Sequence, residues 1–208
     1  MKIRARAGLT AAVATATVTA ALGLLAPAPA VAAPVAAAPA ATTSLRGLPP
    51  YSTWVADVTA VAGQASSYLD SVLPNSAIRP AIVLDIDNTA LQTTYRPGLT
   101  SPATGPILDV ARQAAADGAK VFFVTARPEI LLWQTEINLD LVGYPVERIY
   151  PRPWFNTQPD AELKTDARKA IEAQGYRIVA NIGNSPSDLA GGHADRTFKL
   201  PDYDGALI

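Results

Sequence analysis

Between Ser52 and Pro74 the apolar residues Trp54, Val58, Val61, Ala65, Tyr68, Leu69 and Val72 recur at helical spacing. A Ser/Thr N-cap in front and Pro74 behind predict an amphipathic helix that packs on the domain. After Pro80 the pattern changes. Short apolar runs suited to strands stand at 81–86, 121–124, around 148–150 and at 177–182, and helical spacing recurs near 106–117, 129–142 and 162–173. Apolar strands alternating with helices imply parallel pairing with both sheet faces covered. The expected fold is therefore α/β: a doubly wound, Rossmann-like parallel sheet flanked by helices, with an additional N-terminal helix. Ligands of such sheets bind at the carboxyl ends of the strands, near the point where strand order reverses.

The N-terminus follows another pattern. Lys2, Arg4 and Arg6 precede an uncharged run from Ala7 to Ala33 that is broken by Gly23, Pro27 and Pro29 and ends in A-x-A steps. This reads as a secretory signal peptide over residues 1–32, cleaved near Ala30 or Ala32, and not as a stable membrane anchor. Residues 33–48, rich in Ala, Pro and Thr, form an expected tether to a domain over 49–208. With no cysteine among the 208 residues, an exported domain of this chain must hold together by its core alone. Removing 1–32 takes away three basic residues and no acidic ones, which leaves 14 against 18 and a net charge of −4. That balance does not suit a nucleic-acid binder.

Polar residues gather where the predicted fold puts its site. Asp85 and Asp87 end the first strand, Thr125 and Ala126 follow the second in "VFFVTARPE", and "GNSPSDL", with Asn184 and Asp188, follows the strand at 177–182. Carboxylates two apart on an extended chain face one way, and they repel unless a cation sits between them or one takes a proton. The oxygen set of Asp85, Asp87, Asn184 and Asp188 favours Mg²⁺, an ion that keeps several waters and commonly partners a phosphate. A D-x-D alone reads more readily as a helix N-cap with a solvated turn than as a site. Three strand ends of compatible chemistry make the site the better reading.

The motifs "LDIDNTAL", "VTARPEILLWQTEINLDLVGY", Lys164 in "LKTDARKAI" and "GYRIVANIGNSPSDLAGG" stand in that order on these elements. Across roughly residues 50–205 the chain resembles the haloacid dehalogenase superfamily, and within it the secreted acid phosphatases of the plant storage-protein and bacterial class B and C type. The resemblance implies that Asp85 is a nucleophile and Asp87 a general acid and base. It implies further that Thr125, Ala126 and Lys164 grip the phosphate, and that Asp85, the Asp87 carbonyl and Asn184 hold Mg²⁺, with Asp188 as a further candidate ligand. Lys169 is a reserve for the role of Lys164. The implied activity is Mg²⁺-dependent hydrolysis of a small phosphomonoester through an aspartyl phosphate.

The resembled family usually has aspartate where this chain has Asn184. A neutral ligand predicts weaker metal binding, so a weak or inactive phosphate-binding or storage protein of the same fold is carried beside the enzyme, together with a phosphotransferase. Arg127 is open between a substrate phosphate and a carboxylate such as Glu129. His193, beside two glycines, reads as a turn residue without a catalytic role, and the 150–155 stretch reads either as an exposed loop whose aromatics contact a substrate or, preferred, as a hydrophobic latch on the core. Only 37 residues separate Asp87 from Thr125. A helix and a strand must fit among them, so no large cap domain is expected and the site should be open.

Overall fold

The structure, a computed structural model, describes residues 47–74 and 77–208. The expected signal peptide and nearly all of the tether lie outside the described residues, but Leu48, assigned to the tether's end, packs against the core. Strands β1 (Pro80–Leu84), β2 (Lys120–Pro128), β3 (Val146–Arg152), β4 (Arg177–Gly183) and β5 (Arg196–Lys199) form one sheet in the order β3-β2-β1-β4-β5. All four pairings are parallel. The helices are α1 (Tyr51–Val72), α2 (Gly105–Ala116), α3 (Leu132–Leu141), α4 (Asp160–Glu172) and the single turn α5 (Pro186–Leu189).

Period-two alternation along the strands sorts the core onto two faces. On one face Ile82, Leu84, Val121, Phe123 and Ile182 meet the buried residues of α1 and α2. On the other, Ala81, Val83, Phe122 and Val124 meet Ile171 of α4. Strand order grows from β1 towards β3 on one side and passes to β4 and β5 on the other. The reversal therefore lies between β1 and β4, and the residues just past their ends, Asp85 and Asn184, are set side by side.

Several local expectations change. The start of α1 is capped by Pro50, not by a Ser or Thr side chain; the Pro50 carbonyl accepts from the amides of Thr53 and Trp54 at 2.9 and 3.1 Å, and proline's fixed φ already suits the entry. The first strand ends at Leu84 rather than at 86, because the chain turns at Asp85. The predicted helix 129–142 opens with a 3₁₀ turn, Glu129–Leu131, before α3. β5 has no counterpart in the sequence pattern, since only Phe198 of its four residues is buried and one apolar position carries no period.

The aromatics of the 150–155 stretch do not latch onto the core as a group. Trp154 and Phe155 are exposed, Phe155 at positive φ, while Arg152 ties the loop by polar bonds to Asn156, Gln158 and Asp160. Those bonds hold the loop's backbone outward, so its apolar rings stay in solvent. No large cap domain is present between Asp87 and Thr125, where the structure has a loop, α2 and the first residues of β2. No helix among the described residues is long and apolar enough to cross a membrane.

Trp54 is fully buried in α1 and stacks on Tyr95 with ring centroids 4.9 Å apart, yet its indole N–H has no partner. Trp54→Ala is expected to cost about 3–5 kcal/mol, the usual range for emptying an aromatic core site. Trp54→Phe should cost much less, because no hydrogen bond is lost with the indole. Urea unfolding of both variants checks this; equal losses would mean that the indole nitrogen contributes.

Candidate active site

The residues at the carboxyl ends of β1, β2 and β4, with Lys164 of α4, line one small cavity of about 140 Å³. Asp85, Asp87, Thr125, Ala126, Lys164 and Asn184 all border it. A larger groove, about 760 Å³, runs between α3 and β3, but its walls carry Glu129, Glu136, Asp140 and Glu147 against the single cation Arg148. Carboxylates on that scale repel an anionic ester. The smaller cavity is the candidate site.

Lys164 reaches it because α4 is amphipathic in an unusual way. Its inward positions are Lys164, Arg168 and Ile171, so charge as well as hydrocarbon is buried. The Lys164 ammonium donates to Asp85 Oδ1 at 2.9 Å and also to Asp188 Oδ1. One cation is thus shared by two buried carboxylates. Burial, and next the charge of Asp188, push the Asp85 carboxyl up from 3.8 to about 7, against the pull of Lys164. Burial works against the Lys164 ammonium, yet the two carboxylates outweigh it and hold lysine above its ordinary range.

Asp188 is placed differently from the expectation of a metal ligand. Its Oδ1 faces Lys164, its Oδ2 accepts from the Ser185 amide at 2.7 Å in a capping box, and it does not border the cavity. Gly183 makes room for it: a Cβ there would lie 2.3 Å from the Asp188 Cβ. Asn181 and Arg168 donate to the Asp188 carbonyl, each at 2.8 Å, and Arg168 also donates to the carbonyls of Gly192 and Ala190. Arg168 escaped the sequence reading, although it stands one helical turn after Lys164 and so shares its face.

Asp87 lies across the cavity with a different cation. Arg127 grips it with both arms, Nε to Oδ2 at 2.8 Å and NH2 to Oδ1 at 2.7 Å, and its third nitrogen reaches Thr135 Oγ1 at 3.2 Å. Of the two partners left open for Arg127, the structure has a carboxylate, and it is Asp87 rather than Glu129. Thr125 is buried, and its hydroxyl accepts from the Arg127 amide at 3.1 Å. Lys169 is exposed and pairs with Asp166. His193 sits in a turn at positive φ and meets Glu172 at 2.6 Å.

Asn184 borders the cavity with its polar head engaged. Its Oδ1 accepts from the Thr89 hydroxyl at 3.1 Å, and its Nδ2 donates to the Leu207 carbonyl at 2.8 Å. For a cation, the residues bordering the cavity include the oxygen-bearing Asp85, Asp87 and Asn184. No three His, Cys, Asp or Glu side chains cluster as a cage among the described residues. An all-oxygen set with few protein ligands fits Mg²⁺, which keeps much of its water.

A family model, that of HAD superfamily subfamily IIIB acid phosphatases, matches residues 98–206, more than half of the chain. The chain belongs to this family. The matched stretch holds Thr125, Lys164, Asn184 and Asp188 and begins past Asp87. Among curated relatives, the stem 28 kDa glycoprotein of Glycine max is 37% identical over 107 residues, covering 49% of this chain and 42% of that protein. Acid phosphatase 1 of Solanum lycopersicum is 28% identical over 169 residues, covering 70% of this chain and 66% of that one. The chain thus spans less than two thirds of the length of these relatives. The class C acid phosphatase from Bacillus anthracis superposes with a TM-score of 0.61 at 20% identity, over 75% of this chain and 83% of that one. At that identity the likeness establishes the shared fold.

The raised Asp85 carboxyl has a consequence for stability. In the folded chain it ionises near 7, against 3.8 for a free carboxyl, so folding favours its protonated form. Stability from this group is full below about pH 4 and is lost as pH rises through 7. Asp85→Asn removes that dependence. In chelator, its melting temperature should gain on the unsubstituted protein between pH 4 and 7; parallel curves would contradict the shift.

Proposed function

We propose that this chain is a phosphomonoesterase that hydrolyses small phosphate esters through an aspartyl phosphate on Asp85, with Mg²⁺ as cofactor. The observation that supports this most is the Asp85–Lys164 contact at the β1/β4 switch point, inside a cavity also bordered by Asp87 and Thr125. In a site of this kind Asp85 Oδ1 stays with Lys164, which leaves Oδ2 to attack phosphorus. A bond forms from Oδ2 to phosphorus, the ester P–O bond breaks, and the leaving oxygen takes a proton from Asp87. Water then attacks phosphorus as Asp87, now a carboxylate, accepts its proton, and Asp85 is released. Thr125 and Lys164 hold the phosphoryl oxygens. Mg²⁺, held by Asp85, the Asp87 carbonyl and Asn184, would offset the repulsion between the ester and the attacking carboxylate.

Arg127 occupies both Asp87 oxygens before substrate arrives, so protonation of Asp87 requires Arg127 to let go. That pair is bidentate but partly exposed, 20% at the Arg127 side chain and 44% at that of Asp87, so water and a ligand can reach it. A phosphate dianion outcompetes it, and Arg127 then faces the substrate. The same reading includes export by residues 1–32, a tether following it, and a domain that begins near Leu48. Asn184 favours one secondary reading, a weak enzyme or a phosphate-binding protein, because its amide is spent on Leu207 and its carbonyl brings no charge to a cation.

Phosphate release from a panel of monoesters, with Mg²⁺ and with chelator, tests the proposal. Asp85→Asn should lose at least about three orders of magnitude in turnover with its fold intact, since the covalent route is gone. Retained activity would refute Asp85 as nucleophile, and absence of Mg²⁺-dependent release by the unsubstituted chain would favour the binding protein. An added alcohol acceptor separates transfer from hydrolysis. Asp87→Asn should slow alkyl phosphates much more than an aryl phosphate whose leaving group needs little protonation. Equal losses on both would remove Asp87 from that role.

A further inference from the structure

We propose that the stretch Leu200–Ile208 is a strap whose end, Leu207 and Ile208, forms one wall of the candidate site, and that Asn184 and Asn88 fasten it there and so limit the size of the ester admitted. Two asparagine side chains from different strand ends converge on one backbone oxygen. The Leu207 carbonyl accepts from Asn88 Nδ2 at 2.9 Å and from Asn184 Nδ2 at 2.8 Å. Both amides are oriented by their other ends, because Asn88 Oδ1 accepts from the Thr94 amide at 2.9 Å and Asn184 Oδ1 from the Thr89 hydroxyl at 3.1 Å. All of these atoms are on buried side chains or buried backbone, except around Thr94, where burial is partial.

The strap is anchored at both ends and unfavourable between. At its start the Leu200 amide donates to the Gly183 carbonyl at 2.9 Å, next to Asn184 itself. At its far end the Leu207 side chain is 2% exposed in the main core cluster, and Leu207 and Ile208 border the cavity. Between them Tyr203, Asp204 and Gly205 stand in succession at φ of 50°, 55° and 88°. A tyrosine and an aspartate in the left-handed region persist only where surrounding contacts impose it. Those contacts are present: the Tyr203 hydroxyl donates to Asp57 of α1 at 2.7 Å, and the Leu207 amide donates to the Asp202 carbonyl at 3.1 Å.

This arrangement explains why position 184 carries an amide. An aspartate has no N–H to offer, so it would set a carboxylate oxygen against the Leu207 carbonyl and leave a buried acceptor with one donor fewer. Asparagine trades a ligand charge for a fastened wall. In a site without a cap domain, that wall takes over part of the work of bounding the substrate. The fastening stands on geometry alone, whereas its effect on ester size rests on the phosphomonoesterase reading.

Amide hydrogen exchange of the full chain in chelator tests the fastening without any catalysis. In Asn184→Asp, exchange in 203–207 should quicken about tenfold or more while β1 and β2 keep their protection, and Asn88→Asp should do the same less strongly. Unchanged exchange of 203–207 in both variants would overturn the proposal. So would loosening of β1 and β2 in step with the strap in both, since the amides would then support the fold at large. Where the chain is active, kcat/KM for a bulky aryl ester relative to a compact alkyl ester should rise several-fold in Asn184→Asp. Tighter Mg²⁺ binding with unaltered exchange would make Asn184 a metal ligand only and would also overturn the strap. An inactive parent chain with a loosened strap would instead refute the enzyme reading and leave the fastening standing.

Discussion

The Lys164 ammonium, shared between Asp85 and Asp188, is the interaction on which the rest of the site depends. Each of the three groups is less than a tenth exposed, and three charges at such depth persist only with dense compensation around them. The chain past β4 is built for that purpose. Gly183 lets Asp188 approach the strand, the Ser185 capping box turns its carboxylate inward, and Arg168 gathers the carbonyls of 188–192 behind it. Asp188 in turn keeps Lys164 from belonging wholly to Asp85. Burial first, and the charge of Asp188 next, keep the Asp85 carboxylate basic, which on the proposed mechanism makes it the better nucleophile once its proton is gone.

The two ion pairs across the cavity differ in the property that matters for turnover. Lys164 and its carboxylates are buried, so separating them would leave uncompensated charge at large cost. Arg127 and Asp87 are partly solvated, and water can take over from either partner. On the proposed mechanism the rigid pair keeps the nucleophile in place while the labile pair exchanges one anion for another. Burial separates a positioning contact from a movable one, although both are lysine or arginine against aspartate.

Much of this was legible in the chain. Strand and helix periods indicated the doubly wound sheet, and reading only the residues after each strand brought Asp85, Asp87, Thr125 and Asn184 to one cavity, with Lys164 from the helix facing them. What escaped detection has physical causes. β5 buries one side chain, so no alternation exists to be read. Arg168 looks like any solvated helical arginine, because the carbonyls that hold it belong to a loop twenty residues away. The expected role of Asp188 as a metal ligand came from its residue type, whereas in the folded chain its two oxygens already face Lys164 and the Ser185 amide. Leu207 was illegible for a further reason: a backbone carbonyl has no letter in the sequence.

Charge counting relates these parts to one another. Lys164 and Arg168, one turn apart on the inner face of α4, stand against Asp85 and Asp188, so the buried half of the site is balanced before any ligand enters. Arg127 likewise balances Asp87. With all of these carboxylates and cations ionised, a phosphate dianion meets a site with no surplus positive charge. On the proposed reading a divalent cation would supply charge equal to that of the ester, beside the Arg127 that protonation of Asp87 sets free. With a neutral ligand at 184, such a cation would be held more weakly than beside a third carboxylate, but more of its charge would be left for the phosphate. On the proposed reading the amide that fastens the strap thus bears on both the fit of the ester and the field that receives it.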